Sequence, residues 1–273
     1  MKALFRWGNL ILFAAMVVVN ALANIIPIGG KTTGEVSADY PTLLTPASYA
    51  FSIWGVIYIL MGFFAIFVAV TSEDDDTISI VRDSIGIFFL LSCMMNIAWL
   101  FAWHYGRIGL STIFILGLLL TLIVINMRFT IYPGISIPAR ICVYGFNIYL
   151  GWISAAAILN ISVLLKKVKW TGFGLSDYFW SLLILLAIVV LGICFMIFGG
   201  RFMSSLALMW AVAGMFVRHI SAMGYSNAYP MLTITLACVF ILILSSVVLA
   251  PFICCFPEMR NNIPELFDGK NKS

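Results

Sequence analysis

Residues 149–160 read YLGWISAAAILN. They lie inside an apolar run over roughly residues 139–165, long enough to cross a bilayer as a helix. At helical spacing Tyr149, Trp152, Ala156 and Asn160 fall on one stripe, because positions i, i+3 and i+4 share a face. That stripe carries a phenol, an indole, a gap left by a small residue and a carboxamide. Ser154 and the alanines at 155–157 keep the neighbouring faces thin, so another helix or a flat ligand can approach the backbone. Lipid offers no partner to polar groups at this depth. The stripe is therefore expected to face protein or ligand.

Composition sets the class. The chain has 273 residues, 63% of them hydrophobic and 10% charged, against about 25% charged in soluble domains. Its mean hydropathy is +1.10. These values describe an all-α polytopic membrane protein. The net charge of +4 is small and scattered along the chain, so nucleic acid is not an expected partner. The six cysteines form no C-x-x-C pair, so neither a zinc site nor a disulfide framework is indicated. They read as small core residues, with lipidation of Cys254 or Cys255 unsupported.

Working outward, eight apolar spans are expected, at about residues 8–28, 46–70, 84–104, 110–131, 139–165, 178–198, 202–223 and 229–256. The first follows Lys2 and Arg6 and contains Ala21-Leu22-Ala23, features that also describe a cleavable signal segment. Asn20 and Asn24, spaced i, i+4, favour a helix that stays in the fold. The Gly- and Pro-containing segment after it, residues 27–45, is long for a connection and suits a cover over one mouth of the bundle. Pro46 suits the first turn of the second span, which carries Trp54, Tyr58, Met61 and Ala65 on a stripe. The third places Ser92, Asn96, Trp99 and Trp103 on one face and ends at His104, read as an interfacial side chain. The fourth is mostly aliphatic and reads as lipid-facing. The acidic run at 73–76 lacks the alternation and glycine of an EF-hand and reads as a solvated loop. Lys166, Lys167, Lys169 and Trp170 form an interfacial girdle. Arg218 is read as snorkelling to the interface, with an intramembrane role in transport as the alternative.

With the N-terminus inside, Lys2, Arg6, Arg82, Arg128, Arg140, Arg201, Arg260, Lys270 and Lys272 share that side. Lys31, Arg107, Lys166, Lys167, Lys169 and Arg218 share the other. The positive-inside rule then favours both termini inside, with the lysine cluster at 166–169 pulling the other way.

Three motifs together resemble the TspO/MBR family, the tryptophan-rich sensory proteins related to the mitochondrial translocator protein. Pro46, Trp54, Tyr58, Met61 and Gly62 match the second-helix pattern of that family, with Phe51 one position late. Asn96 and Trp99 match the third-helix pattern, where Trp103 and His104 stand in place of a usual Phe pair. Tyr149, Leu150, Trp152, Ser154, Ala156, Leu159 and Asn160 match every position of the fifth-helix pattern, though Ile148 replaces the proline expected before Tyr149. The resemblance covers residues 1–168 and implies a TspO-like five-helix bundle there. It leaves a three-helix extension at 169–257 and a polar tail at 258–273.

The resemblance implies a pocket between helices for flat apolar ligands, porphyrins and haem intermediates above all. On this chain its positions are Trp54, Tyr58, Asn96, Trp99, Trp152, Ala156 and Asn160. The residues themselves suit that use: aromatic faces stack on a macrocycle, the two asparagines orient polar groups, and Ala156 leaves room. The same residues also suit plain helix packing. No cofactor is required in this reading; a porphyrin or haem would be a ligand. The tyrosine of a cholesterol-recognition pattern is missing from 161–169, which counts against sterol binding. The resemblance further implies a sensory or regulatory role, membrane lipids as surroundings, homodimer formation and a bacterial cell membrane. A permease that uses the extra helices is the alternative. Porphyrin breakdown is attributed to the family, but no Ser-His-Asp, Cys-His or metal-ligand arrangement is readable, so no enzyme activity is expected.

Overall fold

The computed structural model describes residues 2–40, 42–71, 78, 81, 85–131, 135–197 and 201–254. The acidic run at 73–76, the polar tail at 258–273 and Cys255 lie outside the described residues. The helices, in chain order, are α1 (Lys2–Ile25), the short α2 (Thr33–Ala38), α3 (Ile53–Val70), α4 (Gly86–His104) and α5 (Ile108–Arg128). They continue with α6 (Ile137–Lys167), α7 (Asp177–Ile197), α8 (Phe202–Ile220) and α9 (Pro230–Cys254). Among the described residues, eight of these are long and apolar enough to cross a membrane, all but α2. The chain is an integral, multi-pass membrane protein. Its backbone satisfies itself within helices, as a hydrocarbon medium demands.

Packing follows a simple plan. Helices α1, α3, α6, α5 and α4 close a five-membered ring, each against the next, with α4 returning to α1. Helices α7, α8 and α9 pack on one another and join the ring where α8 lies along α6. Gly151 makes that joint possible. A Cβ there would run into the backbone carbonyl of Ser204 on α8. The Ser204 hydroxyl donates to the carbonyl of Asn147 at 2.7 Å, one turn away. Small residues replace hydrophobic attraction as the basis of helix contact in lipid, because tails and side chains are equally apolar.

Local chemistry explains the ends. Helix α6 starts where the Ser136 hydroxyl accepts from the Ala139 N–H, with Pro138 in the first turn. It stops after Lys166 and Lys167, and Lys169 takes a positive φ of 54°. The second span does not begin as an α-helix at Pro46. A 3-10 turn, Ser48–Ser52, precedes α3. The reason lies in a tertiary bond: the Ala47 N–H donates to the Gly214 carbonyl of α8 at 2.9 Å, drawing this segment onto the C-terminal layer. Helix α5 does present Leu110, Ile113, Leu120 and Met127 outward. Its other face carries buried Ser111, Thr112 and Asn126, which an aliphatic reading of the span passes over.

Candidate functional site

The interior of the ring is aromatic. Trp54 stacks on Tyr58, with centroids 5.5 Å apart and planes at 20°. It lies 6.0 Å from Trp99, which stacks on Trp103 at 6.1 Å. The row Tyr58, Trp54, Trp99, Trp103 thus runs from α3 to α4. Trp152 of α6 stands edge-on to it, 6.5 Å from Trp54 and 5.9 Å from Phe51. Edge-to-face and offset pairs at these separations are the favoured arrangements of aromatic quadrupoles.

Two polar knots hold the row in place. Asn20 of α1 donates to the Asn96 carbonyl oxygen at 2.8 Å, and the Asn96 amide donates to the Tyr149 hydroxyl at 3.1 Å. One chain of bonds thereby ties α1, α4 and α6. In the second knot, the Asn160 side-chain oxygen accepts from the Trp99 indole at 3.1 Å. The Asn160 amide donates to Thr112 at 2.8 Å and Ser111 at 3.1 Å. That knot ties α4, α5 and α6. Both asparagines are therefore engaged with protein. The i, i+4 pair of the first span divides its roles: Asn20 joins the first knot, while the Asn24 amide caps the Asn20 carbonyl at 2.8 Å.

The expected site residues separate into three groups. Trp99, Trp152, Ala156 and Asn160 line a narrow cavity of about 40 Å³, together with Ser37, Thr42 and Thr45 of the segment over it. Trp54 and Tyr58 line an open groove of about 480 Å³ between α1, α2 and α3. Phe51 borders both. Asn96 lines neither of these spaces and serves the first knot. Trp54 is the partition: one side of its ring faces the groove, and its neighbours Trp99 and Trp152 line the cavity. Drug-sized ligands occupy roughly 300–1,000 Å³. Only the groove has that room here; the cavity has space for about one water molecule.

The groove and cavity each border a buried donor without a partner. The Tyr58 hydroxyl and the Trp152 indole N–H are both fully screened from solvent and bond to nothing. An amide or hydroxyl kept that way costs about 1–3 kcal/mol. Such groups call for an acceptor, which either space can admit.

A roof closes one mouth of the ring. Residues 26–40 and 42–52 cross it, carrying α2, whose Thr32–Glu35 capping box is complete. Glu35 accepts from the Thr32 N–H at 2.7 Å, and these Thr32 bonds hold its carboxyl below the usual carboxylate range. His104 is buried rather than interfacial: its Nδ1 donates to the Ile28 carbonyl at 2.9 Å, and its Nε2 accepts from Thr33 at 3.1 Å. The Trp103 indole donates to the Thr33 carbonyl at 3.4 Å.

The other end of the roof is fastened by the C-terminal layer. His219 donates through Nε2 to the Leu43 carbonyl at 2.7 Å. The Tyr225 hydroxyl donates to the Thr42 carbonyl at 2.8 Å, and burial pushes that phenol above its ordinary range, which keeps it a neutral donor. The Trp210 indole donates to the Ala50 carbonyl at 2.8 Å. Arg218, on which a transport role would rest, sits at the end of α8 with its guanidinium 5.9 Å over the Tyr225 ring. Sequence reasoning did not find His219, Tyr225 or Trp210 as roof supports. Each acts on a backbone carbonyl more than 150 positions away, and such a partner leaves no local signal.

Neither a curated protein nor a solved structure gives a match to this chain. A family model described as TSPO-like protein matches residues 6–249. The matched region runs from α1 into α9, across both the ring and the C-terminal layer. A match of that extent, together with the all-helical multi-span fold, makes this chain a member of the TSPO-like protein family.

Proposed function

We propose that the chain is a membrane receptor for a flat apolar ligand of porphyrin type, bound against the Trp54 partition, and that occupancy of this site serves a sensory or regulatory purpose. The observation that carries the reading is the pair of orphan donors on an aromatic wall. A ligand lying along the groove offers its face to Trp54 and Tyr58. Its polar edge gives the Tyr58 hydroxyl the acceptor it lacks. Rearrangement past Phe51 opens the way to the Trp152 indole. Trp99, Ala156 and Asn160 form the far side of the same wall, and Asn96 keeps it upright through Tyr149.

The test is titration of the purified, detergent-solubilised protein with protoporphyrin, followed by tryptophan quenching and the Soret band. Tyr58→Phe removes one donor and little else, and Trp152→Phe removes the other together with part of the ring that packs on Phe51 and Trp54. Saturable binding is expected, weakened by about fivefold to tenfold in either variant, the equivalent of one hydrogen bond to a buried donor. Binding that is absent, or indifferent to both variants, refutes this site.

A further inference from the structure

We propose that the cleft between the end of α6 and the start of α7 binds the headgroup of a zwitterionic phospholipid. This site is separate from the aromatic partition and does not depend on its ligand. The cleft holds about 130 Å³ and is walled by Leu165 and Lys166 of α6, Asp177 and Trp180 of α7, Trp170 of the connecting turn and Leu43 of the roof. A cavity of about 150 Å³ accepts a benzene-sized body, so a choline or ethanolamine group fits while its phosphate stays at the rim.

Charge selects the occupant. The charged side chains that line the cleft are Lys166 and Asp177. They pair at 3.1 Å, with 45% and 68% of their side-chain surfaces exposed. A pair that exposed contributes little by itself, so a dipolar group can separate it at small cost. Phosphate then faces the Lys166 ammonium, and the headgroup cation faces the Asp177 carboxylate. The neighbouring Lys167 is turned away, donating to the Gly106 carbonyl.

The indoles add to the fit. Trp170 and Trp180 lie 4.9 Å apart at 59°, and the Trp180 N–H is held by the Gly172 carbonyl at 3.0 Å. The Trp180 ring is therefore fixed, and its polar edge is already satisfied. An aromatic face beside a carboxylate is the arrangement that attracts quaternary and primary ammonium groups. The cleft also sits at the right depth. The fifth candidate span ends at Lys167 and the sixth begins at Asp177, which puts the turn between them at the membrane boundary, where headgroups lie. An anionic headgroup can take the Lys166 ammonium but brings no cation to face the Asp177 carboxylate it displaces.

The experiment uses the full chain in a maltoside detergent, with short-chain dihexanoylphosphatidylcholine or dihexanoylphosphatidylglycerol added below its critical micelle concentration. The thermal unfolding midpoint and tryptophan emission are read together. Phosphatidylcholine is expected to raise the midpoint and phosphatidylglycerol to leave it unchanged. Lys166→Gln should weaken the apparent phosphatidylcholine affinity by about fivefold. Asp177→Asn should abolish the preference, so that phosphatidylglycerol stabilises as well. Equal shifts with both lipids in the unaltered protein, no shift with either, or a phosphatidylcholine shift that survives both substitutions each overturn the proposal. Because neither lipid is a porphyrin, failure here leaves the aromatic site untouched, and failure there leaves this one.

Discussion

Two buried asparagines show how the same side chain can work for or against this fold. Asn160 has every polar direction used: one indole, one threonine and one serine meet it. Asn9 of α1 is fully buried, and neither its amide nor its carbonyl oxygen has a partner. Hydrogen bonds between membrane helices average only about 0.6 kcal/mol each, but a donor stranded in the interior costs more than the bond it lost. The two substitutions should therefore differ in sign. Asn160→Ala strands the Trp99 N–H and is expected to destabilise by about 1–2 kcal/mol. Asn9→Leu removes two unpaired polar atoms at similar volume and is expected to stabilise by about 1 kcal/mol. Thermal unfolding in detergent measures both, and a loss of stability in Asn9→Leu would show that Asn9 has a partner in the membrane. The sequence made the importance of Asn160 legible, because a carboxamide on a Trp stripe inside a span has few bland uses. It did not distinguish bonds to protein from bonds to ligand, since that depends on whether Ser111 and Thr112 face inward, which an aliphatic helix such as α5 does not advertise.

At the scale of elements, the spans were the easiest part to read and the connections the hardest. A bilayer core forces every backbone group into a helix, so hydropathy alone marks α1 and α3 to α9. The roof obeys no such constraint. Its α-helix, α2, has six residues, too short to persist alone in water. It survives on its capping box and on Trp103 and His104 beneath it. The box gives this element a pH dependence whose sign is fixed. Thr32 donates through both its backbone and its hydroxyl to Glu35 and lowers the carboxyl pKa in the folded state. The stability that follows is present above the pKa of the unfolded chain and is lost as pH falls through the folded value. Acidification below the ordinary carboxylate range should loosen α2, while Glu35→Gln should show little change over that window. Trp103, whose indole rests on the Thr33 carbonyl, reports on this, and its emission is isolated by difference against Trp103→Phe. A transition of the same size in Glu35→Gln would assign it to another group.

For the whole molecule, the question is whether ring and C-terminal layer are two parts or one. The motifs at 46–62, 96–99 and 149–160 all lie in the ring, which is why the sequence suggests a boundary near residue 168. Packing gives a different emphasis. Gly151, an unremarked position within the fifth-helix motif, is where α8 reaches α6. His219, Tyr225, Trp210 and the Gly214 carbonyl all fasten the roof that lies over the aromatic cavity. Gly214 is itself seated against Ala50, where a Cβ would come within 2.7 Å of the alanine side chain. The cavity under residues 42–45 is thus built by the ring and closed by the layer. A chain cut after residue 168 keeps every residue of the aromatic row but loses these four attachments. It also uncovers the α6 face around Gly151. If the ring were self-sufficient, the shortened chain would keep its compactness and its protease resistance. The expectation here is the reverse: cleavage by a soluble protease within residues 42–52 should become fast in the shortened chain and stay slow in the full one. Tyr225→Phe with His219→Gln in the full chain should fall between them, because both side-chain bonds to residues 42 and 43 are weakened while Gly214 and Trp210 still hold. Equal cleavage of shortened and full chains would mean that the roof rests on Trp103 and His104 alone, and that α7 to α9 serve some purpose other than closing the site.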